Sequence, residues 1–140
     1  MPTLPRTGSS LLVRTDFTSD TAWQHLSDEA QQENEDGFRA YIETVSDPAF
    51  DGADSHGIQA AVPVSDSGAS VLFIADSVAL GSAQHPILVV ALGGSSSKPP
   101  FRTLPSELWA IENNLNIANM DWQEFAAAVD QDGVFRGFED

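Results

Sequence analysis

Between Ser70 and Leu92 the chain carries two dense apolar runs, Val71-Leu72-Phe73-Ile74-Ala75 and Ile87-Leu88-Val89-Val90-Ala91-Leu92. Neither alternates polar with apolar, as a strand with one wet face does. Continuous runs of this length, rich in β-branched residues, read as strands buried on both faces. A sheet built around such strands must be covered by other elements on both sides, and this constrains the fold more than anything else in the sequence.

The flanking segments supply the cover. Leu11-Leu12-Val13-Arg14 reads as a first strand. The cluster Asp16 to Asp20 then offers side chains that accept from free N–H groups at a helix start. The helix is expected from Asp20 to about Glu33 with Ala22, Trp23, Leu26 and Ala30 inward, and Gly37 as its left-handed terminator. Phe38 to Val45 reads as a second strand, Asp47-Pro48 and Asp51-Gly52 as turns, and Ser55 to Ala61 as a short helix stopped by Pro63. Val71 to Ala75, closed by Asp76, is the third strand. Ser77 to Gln84 holds one or two helical turns, and Pro86 opens the fourth strand. Phe101 to Leu104 pairs back on it as a fifth, across a flexible hairpin loop at 93–100.

The end is helical. Pro105 suits a first helical position, and Leu108, Ile111, Leu115 and Ala118 form a core face. Asp121 with Glu124 makes a capping box flanked by Met120 and Phe125. Trp122, Phe125, Ala126 and Val129 form the next stripe, with Gly133 ending that helix and Val134 to Phe138 a tail that packs back. The order predicts an α/β fold: one domain over residues 1–140, with 1–9 a loose lead-in. Its sheet is mixed and mostly parallel with about five strands, helices on both faces and a C-terminal helix pair.

Charge bounds function. Of the 140 residues, 21 are acidic and 6 basic, a formal net charge of −15. That field repels nucleic acid and anionic membranes, so neither is an expected partner. It favours a cationic ligand or a basic protein, although acidity also serves plain solubility. With carboxylates in such excess, each Arg is expected to close a salt bridge. Cys is absent, which excludes disulfides, thiol nucleophiles and zinc-thiolate sites. Met1 to Ser10 lacks the apolar core of a signal peptide, and no apolar run reaches membrane-spanning length. The expectation is a soluble cytoplasmic protein.

No familiar catalytic motif is present. Gly93 to Lys98 has the wrong spacing for a phosphate loop. Asp130-Gln131-Asp132-Gly133 hints at a calcium loop, but Val134 stands at the next ligand position, which favours a solvated helix end. Asp51, Asp54 and His56 read as turn-formers before they read as a cation site. No metal and no cofactor is expected.

Three places remain. Ligands of open α/β sheets bind beyond the carboxyl ends of parallel strands, which gathers Arg14, Asp16 and Asp76. Two carboxylates beside an Arg can split their proton affinities for acid–base work, although Asp at a strand end is usually a helix cap. His85, extended before Pro86, either projects into a cleft or shapes the turn. On the Asn-rich stretch, Trp109, Glu112, Asn113 and Asn116 share one helical stripe, with Asn119 beyond it. These amides either orient a polar ligand against an aromatic wall or tie down main-chain groups at a helix corner.

Leu11 to Phe17, Asp47 to Gly52, Pro105 to Trp109, Glu112 to Leu115, Ala118 to Asp121 and Asp132 to Phe138 together resemble a family of small acidic microbial proteins catalogued as a domain of unknown function. The resemblance spans nearly the whole chain, implies a single domain and carries no mechanism. Two functions fit the residues, the first ahead of the second because odd polar residues concentrated at one spot suit a site better than a spread of charge. One is a cofactor-independent lyase, isomerase or cyclase, or a binder, for a small polar organic molecule. There Asp16, Glu112 or His85 would move protons, and Arg14, Asp76, Trp109, Asn113, Asn116 and Asn119 would hold the substrate. The other is an acidic interaction module, of the kind that neutralises a basic partner.

Overall fold

In the computed structural model the described residues are 4, 10–33, 37–40, 42–61, 71–91, 99–116 and 122–137. They form one six-stranded sheet: β1 (Ser10–Arg14), β2 (Ile42–Val45), β3 (Val71–Ala75), β4 (Ile87–Ala91), β5 (Phe101–Thr103) and β6 (Val134–Phe135). The spatial order is β2-β1-β3-β4-β5-β6. β1 is parallel to β2 and β3, β4 is antiparallel to β3 and β5, and β6 is parallel to β5. Five strands therefore point one way and β4 alone points back.

The two apolar runs behave as their composition requires. All five residues of β3 are buried, as are all five of β1, and β4 is buried except at Leu88. Register aligns Thr44, Leu12, Phe73, Val89 and Phe101 in one row and Val45, Val13, Ile74, Leu88, Arg102 and Val134 in the next. Alternation sends the rows to opposite faces, and each face has its own core. On the first, Leu12, Phe73, Val89 and Phe101 meet Trp23, Leu26, Leu80, Leu108, Ile111, Trp122 and Phe125. On the second, Val13 and Ile74 meet Phe50, Ile58 and Leu4.

The helices divide accordingly. α1 (Asp20–Ala30), α3 (Ser77–Gly81), α4 (Leu108–Asn116) and α5 (Trp122–Ala126) supply the first face. α2 (Ser55–Ala61) and the 3-10 turn Pro48–Phe50 supply the second. β1 to β2 steps one way in the sheet and β2 to β3 steps back, so right-handed crossovers place α1 and α2 on opposite faces. No helix among the described residues is long and apolar enough to cross a membrane.

Four local expectations are corrected. α1 stops at Ala30, where the Gln31 N–H reaches the Glu29 and Ser27 carbonyls; Gly37 has positive φ (83°), but in the linker beyond. The second strand starts at Ile42, not Phe38. α5 ends at Ala126, and Gly133 (φ 80°) instead turns the chain into β6. The tail that packs back is itself a sixth strand, parallel to β5. The capping Asp121, the hairpin loop 92–98, Pro63, Leu115's side chain and Ala118 lie outside the described residues.

β6 is short but anchors a core position. Phe135 is fully buried, with its ring edge-on to Phe125 at 5.3 Å and 79°. Phe135→Ala is expected to lower unfolding free energy by about 3–5 kcal/mol in urea titrations with an unchanged m-value. A loss below about 1 kcal/mol would mean that β6 is not part of the cooperative core.

Candidate functional site at the carboxyl edge of the sheet

The order β2-β1-β3, with α1 and α2 on opposite faces, creates a switch point beyond the ends of β1 and β3, where open α/β sheets bind ligands. The loops there are stitched together. The Gly52 N–H donates to the Thr15 carbonyl (2.8 Å) and the Thr15 N–H to the Ala75 carbonyl (3.0 Å). Because β4 runs backwards, its entry at His85-Pro86 lies at the same edge, as does the exit of β5.

Arg14 sits in the last row of β1 and is 3% exposed. Its Nε donates to the Asp16 carbonyl (2.9 Å), Nη1 to Ser46 Oγ (3.4 Å) and Nη2 to Asp20 Oδ1 (2.8 Å). The guanidinium lies 4.3 Å from the Phe17 ring centroid and 5.6 Å from that of Trp23. Planar charge, aromatic faces and convergent acceptors suit Arg and no other cation. The Asp20 carboxylate is 91% exposed, so the ion pair is screened at one end and the main-chain and ring contacts carry more of the hold. Asp16 touches Arg14 only through its carbonyl. Its carboxylate accepts from the Thr18 N–H (3.0 Å) and closes the turn into α1.

Asp76 lies at the same edge but one residue beyond Ala75, so alternation turns it to the opposite face from Arg14. It caps α3 by accepting from the Ala79 N–H (3.0 Å). It also receives both arms of Arg102, at 2.9 and 2.8 Å, while Arg102 Nη1 donates to the Pro86 carbonyl (3.0 Å). Burial pushes the Asp76 carboxyl up, but the Arg102 fork and the Ala79 amide outweigh it and hold the pKa below its ordinary value. Asp16 and Asp76 therefore do not form a pair that splits a proton. Arg102 was not singled out by sequence reasoning; only the hairpin register reveals it beside Asp76.

His85 is not extended. Its φ is +50°, the one non-glycine residue with positive φ among those described. That conformation costs on the order of 1–3 kcal/mol, and a following proline disfavours helical backbone further. The ring is buried, with Nδ1 3.0 Å from the Ala79 carbonyl, which assigns the hydrogen to Nδ1. Nε2 is 3.9 Å from Glu29 Oε1. His85 is a strut joining α1, α3 and the start of β4.

These contacts also reveal the course of α1. Its first turn meets Arg14 of β1 and its last turn meets His85 before β4. Two strand steps span roughly 10 Å and nine helical residues roughly 13 Å. α1 thus runs along the carboxyl edge and roofs the switch point on its own face.

The Asn-rich helix gives a partial answer. Trp109 stacks on Phe38 with centroids 4.6 Å apart and planes at 9°, and Phe38 is 49% exposed. Glu112 is buried and Asn113 half-buried, and among the described residues the Asn113 side chain meets no hydrogen-bond partner. The Asn116 side chain and all of Asn119 lie outside the described residues.

The hinted calcium loop holds a guanidinium instead. Arg136 donates to Asp130 Oδ2 (2.8 Å), to Asp132 Oδ1 and Oδ2 (3.0 and 2.8 Å) and to Gln84 Oε1 (2.6 Å). The Arg136 hydrogen bonds hold Asp132 below its usual pKa, and the Asp132 and Asp130 carboxylates raise that of Arg136. Asp54 caps α2 through the Gly57 N–H (2.8 Å), and among the described residues no group of three or more His, Asp or Glu is arranged to hold a metal.

Residues 9–138 match the family model described as Domain of unknown function (DUF6924), and the chain belongs to that family. No curated protein matches it.

Two expectations follow from the edge. Asp76 has a depressed folded pKa, so its stabilising contribution is present above the ordinary value of 3.8 and is lost as pH falls through the folded value. Asp76→Asn is therefore expected to cost about 2 kcal/mol near neutral pH, with the gap to wild type narrowing below about pH 4; a pH-independent gap in urea titrations would refute the assignment. At His85, glycine avoids the left-handed penalty that alanine retains. His85→Gly is expected to be more stable than His85→Ala by roughly 1 kcal/mol, and the reverse order would remove the strain from this position.

Proposed function

We propose that this chain, as a member of that family, serves as an acidic protein-interaction module that engages a basic protein partner. The observation that carries the reading is where the charges go. Of the four described Arg, Arg14, Arg102 and Arg136 are held in ion pairs and Arg39 alone is exposed. Of the fifteen described acidic residues, eleven are exposed: Asp20, Asp28, Glu29, Glu33, Glu43, Asp47, Asp51, Asp54, Glu124, Asp130 and Asp132. Three of the four described cations are drawn in as fold-holding clamps, and the exposed charge of the described residues is predominantly anionic even though Asp20, Asp130 and Asp132 are paired. Such a field speeds encounter with a basic protein and rejects acidic ones. The groups that acid–base chemistry would use at the carboxyl edge have other employment: Asp16 closes a turn, Asp76 is forked by Arg102 and the buried His85 bonds the Ala79 carbonyl through Nδ1.

A second reading rests on Asn113, half-buried on the stripe of Trp109 and Glu112 with no hydrogen-bond partner among the described residues. There Trp109, Asn113, Asn116 and Asn119 would orient a small polar molecule while Glu112 moves a proton, without a cofactor. One experiment separates the two. Calorimetric titration against a panel of basic proteins, in parallel with thermal shift against a metabolite panel, is expected to find a protein ligand. Its affinity should fall on the order of tenfold or more between about 50 and 200 mM salt. Stabilisation by a single metabolite, abolished by Asn113→Ala and indifferent to salt, would overturn the interaction reading.

A further inference from the structure

The two ends of the sheet differ. β6 is two residues long and both are buried. β2 is four residues long, ends the sheet on the other side, and is the more open strand: Ile42 and Val45 are half-exposed, Glu43 and Thr44 fully so. Each of its inner side chains serves one core. Ile42 packs on the α1 side and Val45 on the α2 side. Neither core extends outward past them, so among the described residues the outer edge of β2 faces solvent. A strand at a sheet edge presents unpaired N–H and C=O groups in register, which is a template for another strand.

The charges within β2 and after it share one sign, while the exposed Arg39 stands three residues before the strand. Glu43 lies within β2, Asp47 follows two residues after its end, and Asp51 and Asp54 stand in the loop that leads to α2, all exposed. Asp47 and Asp54 are fixed by capping, through the Ala49 N–H (3.0 Å) and the Gly57 N–H (2.8 Å). Their carboxylates are therefore held in place instead of sweeping through solvent. The β2–α2 loop is tied to the sheet by the Gly52–Thr15 bond (2.8 Å) and by Arg14 reaching Ser46.

We propose that the outer edge of β2 receives an extended basic segment of a partner protein, which adds to the sheet as a seventh strand. The inference rests on the interaction reading above and names where and how the partner binds. Main-chain pairing gives the register. Lys or Arg at alternate positions meets Glu43 on one face of the sheet, and a further cation meets Asp47 at the strand's end. Each opposed pair is worth about twofold to fivefold in affinity. A second copy of this chain is the disfavoured occupant. Isologous pairing sets Glu43 against Glu43 or Thr44 and brings two bodies of charge −15 together. A short edge strand carrying a charge also guards against aggregation, and a guard without a docking role binds no strand at all.

The test uses the full chain and a capped peptide of about eight residues alternating arginine with valine, long enough to overrun β2. Its controls are the glutamate–valine version and an arginine–valine version N-methylated at alternate residues, which keeps the charge and blocks strand pairing. Affinity and amide hydrogen exchange are the readouts, with Glu43→Lys as the variant; Glu43 is exposed, and the melting curve checks its fold. The arginine peptide is expected to bind and to slow exchange within residues 42–45. N-methylation should weaken it about tenfold or more, and Glu43→Lys about fivefold. The glutamate peptide should not bind. Binding that survives N-methylation, or that leaves residues 42–45 unprotected, overturns the edge proposal and leaves the acidic module standing. Failure of this peptide and of every basic protein to bind overturns both. Protection of residues 42–45 that appears with concentration alone, together with a dimer in sedimentation, would assign the edge to a second copy and overturn the basic occupant.

Discussion

Strand β3 has no wet side, and neither does its neighbour β1. Fully burying one large apolar side chain yields about 2 kcal/mol. Leaving either face of these strands uncovered would therefore forfeit an amount comparable to the whole margin by which small domains are stable. Cover must come from both sides, and it must come from segments that connect parallel strands. The crossovers β1 to β2 and β2 to β3 satisfy both demands, with α1 on one face and α2 on the other. Once the helices part in this way, the loops at the carboxyl ends of β1 and β3 separate as well. The edge between them is where polar groups collect, because every other part of these strands is closed to them.

That crowding explains how the few cations are used. A guanidinium placed near a buried sheet end must find acceptors and flat apolar surface or leave for water. Arg14 finds the Asp16 carbonyl, Ser46, Asp20 and the rings of Phe17 and Trp23. Arg102 finds both oxygens of Asp76, and Arg136 laces β6 to the β3–β4 connection through Gln84. Each joins segments distant in sequence, Arg14 with Ser46, Arg102 with Asp76 and Arg136 with Gln84. Among the four described basic residues, clamping the fold leaves only Arg39 to balance the surface carboxylates. The acidity of the exterior is thus in part a consequence of how the interior is tied.

Much of this was legible before any coordinates. The bounds of β3 and of α2 coincide with the sequence reading, and β4 begins one residue after Pro86, because dense apolar runs and their flanking breakers are local signals. β6 was not legible as a strand. Val134-Phe135 is too short for a pattern, and its partner β5 lies some thirty residues back. The end of α1 is not legible because Gly37 is a good terminator by type, yet the helix stops at Ala30 with Gln31 as its cap. At the candidate site strand ends indicate which residues gather but not which partners they meet. Arg14, Asp16 and Asp76 do converge on one edge, but the facing of Asp76 depends on strand alternation and on Arg102, and neither can be counted out from composition. His85 is conspicuous in the sequence for its place before Pro86; its left-handed backbone goes with a turn bond from its N–H to the Ser82 carbonyl and a ring bond to the Ala79 carbonyl, which type and position do not announce.

The same topology decides which strand is left open. The chain leaves β1 for β2 by one step outward, then returns past β1 to lay down β3, and every later strand adds on the far side. β2 is the point of reversal, and for that reason no strand among the described residues lies outside it. Evolution has two ways to live with such an edge: shorten and bury it, as at β6, or charge it, as at β2 with Glu43. Charging repels other copies of an acidic chain far more strongly than it repels neutral strands, and it attracts basic ones. On the proposed docking, an edge that carries a carboxylate on a body already at −15 would select as well as protect. The selectivity follows from the fold and the net charge together; a neutral body with the same Glu43 would guard its edge and discriminate little.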